Sequence, residues 1–111
     1  MSAPRRTPAG RGFDTSLGYL TGAEDHFRHT VNFDGQPHVD MWQTHAPFNT
    51  STDRETLQQY GDIIFCEHAV RILQEFANRR RIRQQQEKLF LYLAAQVDHD
   101  PQEVPEKYSN L

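Results

Sequence analysis

Asp98-His99-Asp100 sets three titratable groups side by side, just after the most apolar run of the chain, Leu89-Phe90-Leu91-Tyr92-Leu93-Ala94-Ala95. A histidine so placed can donate a proton to a leaving oxygen, bind an anion or ligate a metal. Adjacent residues of an extended segment point to opposite sides, so the three need not converge, and spacing alone favours a solvated polar turn. Position raises His99 above that background. Seven apolar residues without alternation predict a strand covered on both faces, as in parallel sheets, and such sheets bind ligands beyond their strands' carboxyl ends.

The remaining reactive residue types read more plainly. Cys66 could serve as a nucleophile, but it falls on the apolar stripe of a predicted helix, where free cysteine behaves as a small core hydrophobe. His26, His29, His38 and His45 could supply metal ligands if their loop folded back, yet they lack regular spacing and thiolate partners and read as polar loop residues. Arg79-Arg80-Arg81-Ile82-Arg83 could grip phosphate or sulfate groups, but without interleaved aromatics it reads as a solvated helix end. Asn49-Thr50-Ser51 satisfies the glycosylation sequon, which has meaning only in a secreted protein.

The elements that must carry these residues follow from periodicity. From Asp53 or Arg54 a helix is predicted, because Tyr60, Ile63, Ile64, Cys66, Val70, Leu73, Phe76 and Ala77 recur at spacings of three and four. Ser51, Thr52 or Asp53 would cap it, and the arginines would meet the negative end of its dipole. The chain thus divides into a mostly loop region over 1–53, a helix over 54–83, a buried strand over 88–97, and a turn and tail over 98–111. Helix, basic connection and apolar strand form half of a βαβ unit, so an α/β class is expected, with the neighbouring strands missing.

Composition sets the outer bounds. The chain has 111 residues, 36% of them hydrophobic, and a mean hydropathy of -0.82, lean for a domain that builds its own core. A loop region as long as 1–53 points to a piece of something larger. The net charge of -3 gives no global pull toward nucleic acid or an anionic membrane. One cysteine excludes an internal disulfide framework and a thiolate zinc cluster. No apolar run reaches the roughly 18 residues that span a bilayer, and Met-Ser-Ala-Pro-Arg-Arg-Thr-Pro lacks the apolar core of a signal peptide.

Three blocks resemble sulfatases of the arylsulfatase B type, in the alkaline-phosphatase-like superfamily. They are Gly12-Phe13-Asp14-Thr15 through Gly18-Tyr19-Leu20-Thr21-Gly22-Ala23-Glu24-Asp25, Tyr60 through Ala69-Val70-Arg71, and Lys88-Leu89-Phe90-Leu91-Tyr92-Leu93-Ala94 through His99-Asp100-Pro101, Val104-Pro105-Glu106 and Tyr108. They stand in the family's order and cover roughly residues 10–111. The resemblance implies a partial alkaline-phosphatase-like fold and sulfuric ester hydrolysis by a calcium- and formylglycine-dependent parent enzyme acting on a sulfate ester. It also implies that His99 contacts the sulfate or protonates the leaving oxygen, and that the parent is secretory, lysosomal or extracellular.

The departures are equally specific. Maturation to formylglycine needs Cys-x-Pro-Ser-Arg or a close variant, whereas Cys66 is followed by Glu67-His68-Ala69-Val70-Arg71. The family's aspartate pair for calcium, its Gly-Lys-Trp-His segment, its Asp-Asn-Gly and its active-site lysine are absent, as are the paired cysteines that often precede the helix. Asp98 stands where the family has a small or apolar residue and would raise the histidine's pKa if their side chains meet. The chain is therefore expected to be an inactive fragment that binds neither calcium nor a cofactor by itself. The competing expectation is a non-catalytic remnant that acts as a small interaction protein, with no nucleic-acid or membrane partner.

Overall fold

The computed structural model describes residues 6–45, 49–52, 59–83, 86–97 and 99–109. They form a small mixed α/β chain with two antiparallel sheets and one long helix. Strands β1 (Thr15–Gly18), β4 (Trp42–His45) and β5 (Asn49–Thr52) make one sheet in the order β1-β4-β5. Strands β2 (Thr30–Phe33) and β3 (Gln36–Val39) make the other, and helix α1 runs over Gly61–Arg83.

The β2–β3 ribbon is dictated by its turn. Asp34 and Gly35 have φ of 51° and 76°, the positive values that a two-residue type I′ hairpin requires and that Asp-Gly adopts with little strain. Pairing runs from Phe33 opposite Gln36 to Thr30 opposite Val39. It is prolonged inward where the Asp40 N–H donates to the His29 carbonyl at 2.8 Å.

The larger sheet closes a long excursion of chain. Thr15 pairs with His45 and Gly18 with Trp42, so the segment between β1 and β4 must leave and return to one place. Asp40 holds that neck. Its Oδ1 accepts from the Leu20 N–H at 3.2 Å and the Trp42 indole N–H at 2.8 Å. Its Oδ2 accepts from the Thr21 N–H at 2.9 Å and from the Thr21 hydroxyl.

Helix α1 begins later than its periodicity predicts. Ser51 and Thr52 belong to β5 and cap nothing in α1, Asp53 lies outside the described residues, and Gln59 and Tyr60 precede the helix. The buried face is Gly61, Ile64, Phe65 and Ala69. Cys66, expected in the core, is exposed, as are Val70, Leu73 and Ala77, because only the first turns of α1 meet the rest of the chain. Beyond Ile72 only Phe76 is even half-buried.

Two further expectations are corrected. The loop region 1–53 carries more regular structure than expected, since the four-residue strands β1 to β5 fall between Thr15 and Thr52. No buried central strand forms over 88–97: residues 86–96 carry neither helix nor ladder, and Phe90 and Tyr92 are 77% and 71% exposed. Both sheets are antiparallel and built from earlier residues, and among the described residues neither takes this run in as a strand. A strand exists only through its neighbours. No helix among the described residues is long and apolar enough to cross a membrane.

The type I′ turn gives a direct test. Gly35→Ala forces a side chain into the left-handed region and is expected to lower unfolding free energy by about 1 kcal/mol in equilibrium denaturation. Gly22→Ala, where a Cβ would meet open space without positive φ, is expected to be near neutral. Equal effects at the two positions would contradict the assigned turn.

Candidate functional site

The described residues bury polar groups as readily as apolar ones. Glu24, His26, His29, Asp40, Thr44 and Gln96 are inside beside Met41, Tyr60, Ile64, Phe65 and Ala69. Buried polar atoms must find partners, so their connections define the candidate site.

A compact loop presents His29. Asp25 Oδ1 accepts the N–H groups of Phe27 and Arg28 at 2.9 and 2.7 Å, an Asx-type turn in which the carboxylate stands in for a backbone acceptor. The His29 N–H donates to the Asp25 carbonyl at 2.8 Å, and the Asp25 N–H donates to the Thr30 carbonyl at 2.9 Å. Closing this loop places His29 at φ 53°, a left-handed conformation that histidine adopts more readily than most residues.

The His29 ring has no solvent exposure. Its Nδ1 donates to Glu24 Oε1 at 2.7 Å and its Nε2 donates to the Gln59 carbonyl at 2.8 Å. The Gln59 carbonyl can only accept, so Nε2 carries hydrogen; with Glu24 as a carboxylate Nδ1 does too, and the ring is an imidazolium. Burial opposes that charge, but the Glu24 and Gln59 hydrogen bonds and the Glu24 and Asp25 carboxylates outweigh it, and the pKa is raised above 6.5.

Glu24 and Gln96 extend the network. Glu24 is 2% exposed, and its Oε2 accepts from Gln96 Nε2 at 2.7 Å. The Gln96 N–H donates to Asp62 Oδ1 at 2.6 Å, tying the end of the apolar run to the first turn of α1. A Cβ on Gly61 would run into Gln96 Oε1, so glycine is what lets the two segments close. On the flank, the Gly61 N–H donates to the His26 carbonyl at 2.8 Å, the His26 N–H donates to Glu103 Oε2 at 2.7 Å, and the Tyr60 hydroxyl donates to the Glu103 carbonyl at 3.1 Å. Burial and the Asp62 carboxylate raise the Tyr60 pKa.

His99 sits at the exposed edge of this assembly. Its N–H donates to the Gln96 carbonyl at 3.1 Å, and its Nδ1 donates to the Asp100 carbonyl at 2.7 Å. That second bond sets the tautomer and leaves Nε2 as the nitrogen available to a ligand. Asp98 lies outside the described residues, so its relation to His99 is not part of this geometry.

The other sequence candidates do not join it. Asn49 opens β5 rather than lying in a loop. His38 is exposed on β3 with its ring 6.4 Å from Phe33, whereas His26 and His29 are buried, His26 bonded through its backbone N–H to Glu103 and His29 through its ring to Glu24. Arg79 approaches Glu75 and Glu87 at only 4.0 Å, and Arg80 lies over the Phe76 ring. The groups implied by the resemblance do not fit this chain. Cys66 is exposed in the wrong sequence context, and among the described residues no three His, Cys, Asp or Glu side chains gather as metal ligands. A groove of about 540 Å³ opens between β1, α1 and residues 88–94, lined by Leu17, Tyr19, Phe65, Ile72, Phe90 and Leu93 among others, and it takes in neither His99 nor the buried network.

Glu24, Gln96, Asp62 and Glu103 were not legible as site residues. The one available signal was Phe33-Asp34-Gly35-Gln36, a hairpin pattern that sets His29 opposite Asp40.

Glu24→Ala would strand a buried imidazolium and is expected to cost about 3 kcal/mol or more in chemical denaturation. Glu75→Ala, which removes only an exposed long-range pair, is expected to leave stability unchanged. A neutral Glu24→Ala would remove the network from its central place. No family model matches this chain, and no solved structure matches it.

Proposed function

We propose that this chain is part of the catalytic domain of an arylsulfatase B-type sulfatase with an alkaline-phosphatase-like fold, and that it contributes one site residue, His99. The observation that carries the reading is the run from Leu89 to Val97, apolar, without a ladder partner, largely exposed, and ending at His99. Backbone groups in such a run need partners, and apolar side chains on both sides need cover. A central parallel strand described without its neighbours has these properties. The three sequence blocks supply the family.

The chemistry assigned to this chain is limited. Cleavage of a sulfate ester leaves an oxygen anion, which a nearby proton donor or cation stabilises. With Nδ1–H held by the Asp100 carbonyl, His99 serves as that group in its doubly protonated form, giving the Nε2 proton to the leaving oxygen and reverting to the neutral ring. The nucleophile and the calcium ligands of the parent come from residues outside this chain, and a secretory, lysosomal or extracellular setting follows for that parent.

A second reading, a small non-catalytic interaction protein, is favoured by one observation: Glu24 and His29 complete their buried contacts within the chain. Cooperative unfolding of a soluble monomer would support it over the first, because an uncovered sheet segment should associate.

Reading the genomic frame is the most economical check. Cys-x-Pro-Ser-Arg upstream and Asp-Asn-Gly downstream are expected, and a closed frame on both sides would remove the proposal. In the complete enzyme His99→Ala should lower turnover of an aryl sulfate by about 10²-fold or more. Near-normal kinetics would overturn the role given to His99.

A further inference from the structure

Both nitrogens of His29 lead to Gln96, and Gln96 carries the His99 turn. We propose that His29, as a buried imidazolium, is a positioning residue for His99, docking that turn at lower pH and releasing it as pH rises.

One path runs from His29 Nδ1 to Glu24 Oε1 at 2.7 Å, from Glu24 Oε2 to Gln96 Nε2 at 2.7 Å, and from the Gln96 carbonyl to the His99 N–H at 3.1 Å. The other runs from His29 Nε2 to the Gln59 carbonyl at 2.8 Å, along the chain into α1, and from Asp62 Oδ1 to the Gln96 N–H at 2.6 Å. Gly61 seats Gln96 between these paths, since any larger residue would displace its side chain. His99 itself is exposed and has its own bonds to the Gln96 and Asp100 carbonyls, so any influence of His29 on it passes through this relay.

Removing one proton from His29 leaves a nitrogen lone pair against an oxygen acceptor, in a position with no solvent exposure. Water is not at hand to relieve that opposition, so either the Glu24 or the Gln59 contact must open, and each leads to Gln96. The surroundings favour the proton. Glu24 and Asp25 face the ring from its own loop, Asp62 stands at the first turn of α1, and Glu103 and His26 flank the network. Asp40, beyond β3, spends its carboxylate on Leu20, Thr21 and Trp42.

The sign follows from linkage. A histidine whose pKa is raised by folding contributes stability that is fully present below 6.5 and is lost as pH rises through its higher folded value. The docked turn therefore belongs to the acidic side and the released turn to the alkaline side. A consequence for ester hydrolysis rests on the role proposed above for His99, whereas the coupling is a property of the chain alone.

The test is a histidine-edited NMR titration of the 111-residue chain from about pH 5 to about pH 9, following the ring signals of His29 and His99 and the Gln96 side-chain amide. His29 should titrate above 6.5, and His99 and Gln96 should each show an inflection at the His29 midpoint, beyond the titration of His99 itself. In His29→Gln that added inflection should vanish while the intrinsic titration of His99 persists. A His29 midpoint at or below 6.5, or the absence of a shared inflection in the unaltered chain, overturns the coupling whether or not the variant folds. Unchanged turnover of a His99→Ala parent enzyme would instead refute the sulfatase role and leave the coupling standing.

Discussion

Taking a carboxylate and an imidazolium out of water together is costly unless every remaining lone pair and proton is also placed. Glu24 and His29 meet that condition through atoms supplied from distant parts of the chain. The second oxygen of Glu24 takes Gln96, 72 residues away, and the second nitrogen of His29 takes the Gln59 carbonyl, 30 residues away. The tight loop over residues 25–30, the approach to α1 and the end of the apolar run are therefore conditions of one another. A buried pair of this kind adds little net stability over an apolar replacement, but it rejects arrangements that leave any member unpartnered.

The apolar part of the structure has a different character. Met41, Tyr60, Ile64, Phe65 and Ala69 form a thin layer between the start of α1 and the sheets, while Phe90, Tyr92, Leu93, Val97, Leu73 and Ile82 stand at the surface. Hydrophobic burial is roughly proportional to area removed from water, so these exposed side chains contribute little to holding the fold. The polar network and the uncovered apolar surface meet at Gln96, the one residue of the run from Leu89 to Val97 that is buried.

What could be read beforehand depended on how local its cause was. One long helix is legible because its spacing is a property of consecutive residues, but the side it buries is legible only in part: Tyr60 and Ile64 of the predicted stripe are buried, whereas Cys66, Val70 and Leu73 give way to Phe65 and Ala69, which only the position of the sheets decides. The β2–β3 hairpin has a local signal in Asp34-Gly35, but the surrounding residues lack the alternation that marks strands. The unbroken apolar character of the run from Leu89 predicts a strand, yet a ladder needs a neighbour. The buried network was the least legible, since Glu24, Asp62 and Gln96 look like ordinary surface residues until distant backbone carries them together.

Helix α1 has a mechanical side. Packing holds it over Gly61–Ala69, and the remainder, from Val70 to Arg83, extends for about 21 Å at 1.5 Å per residue. A tilt of about 10° at the packed base would carry the arginine-bearing tip through about 4 Å. The base is also where Asp62 and Gly61 grip Gln96. A small change of angle at that cluster would therefore be magnified toward the arginine-bearing end of the helix.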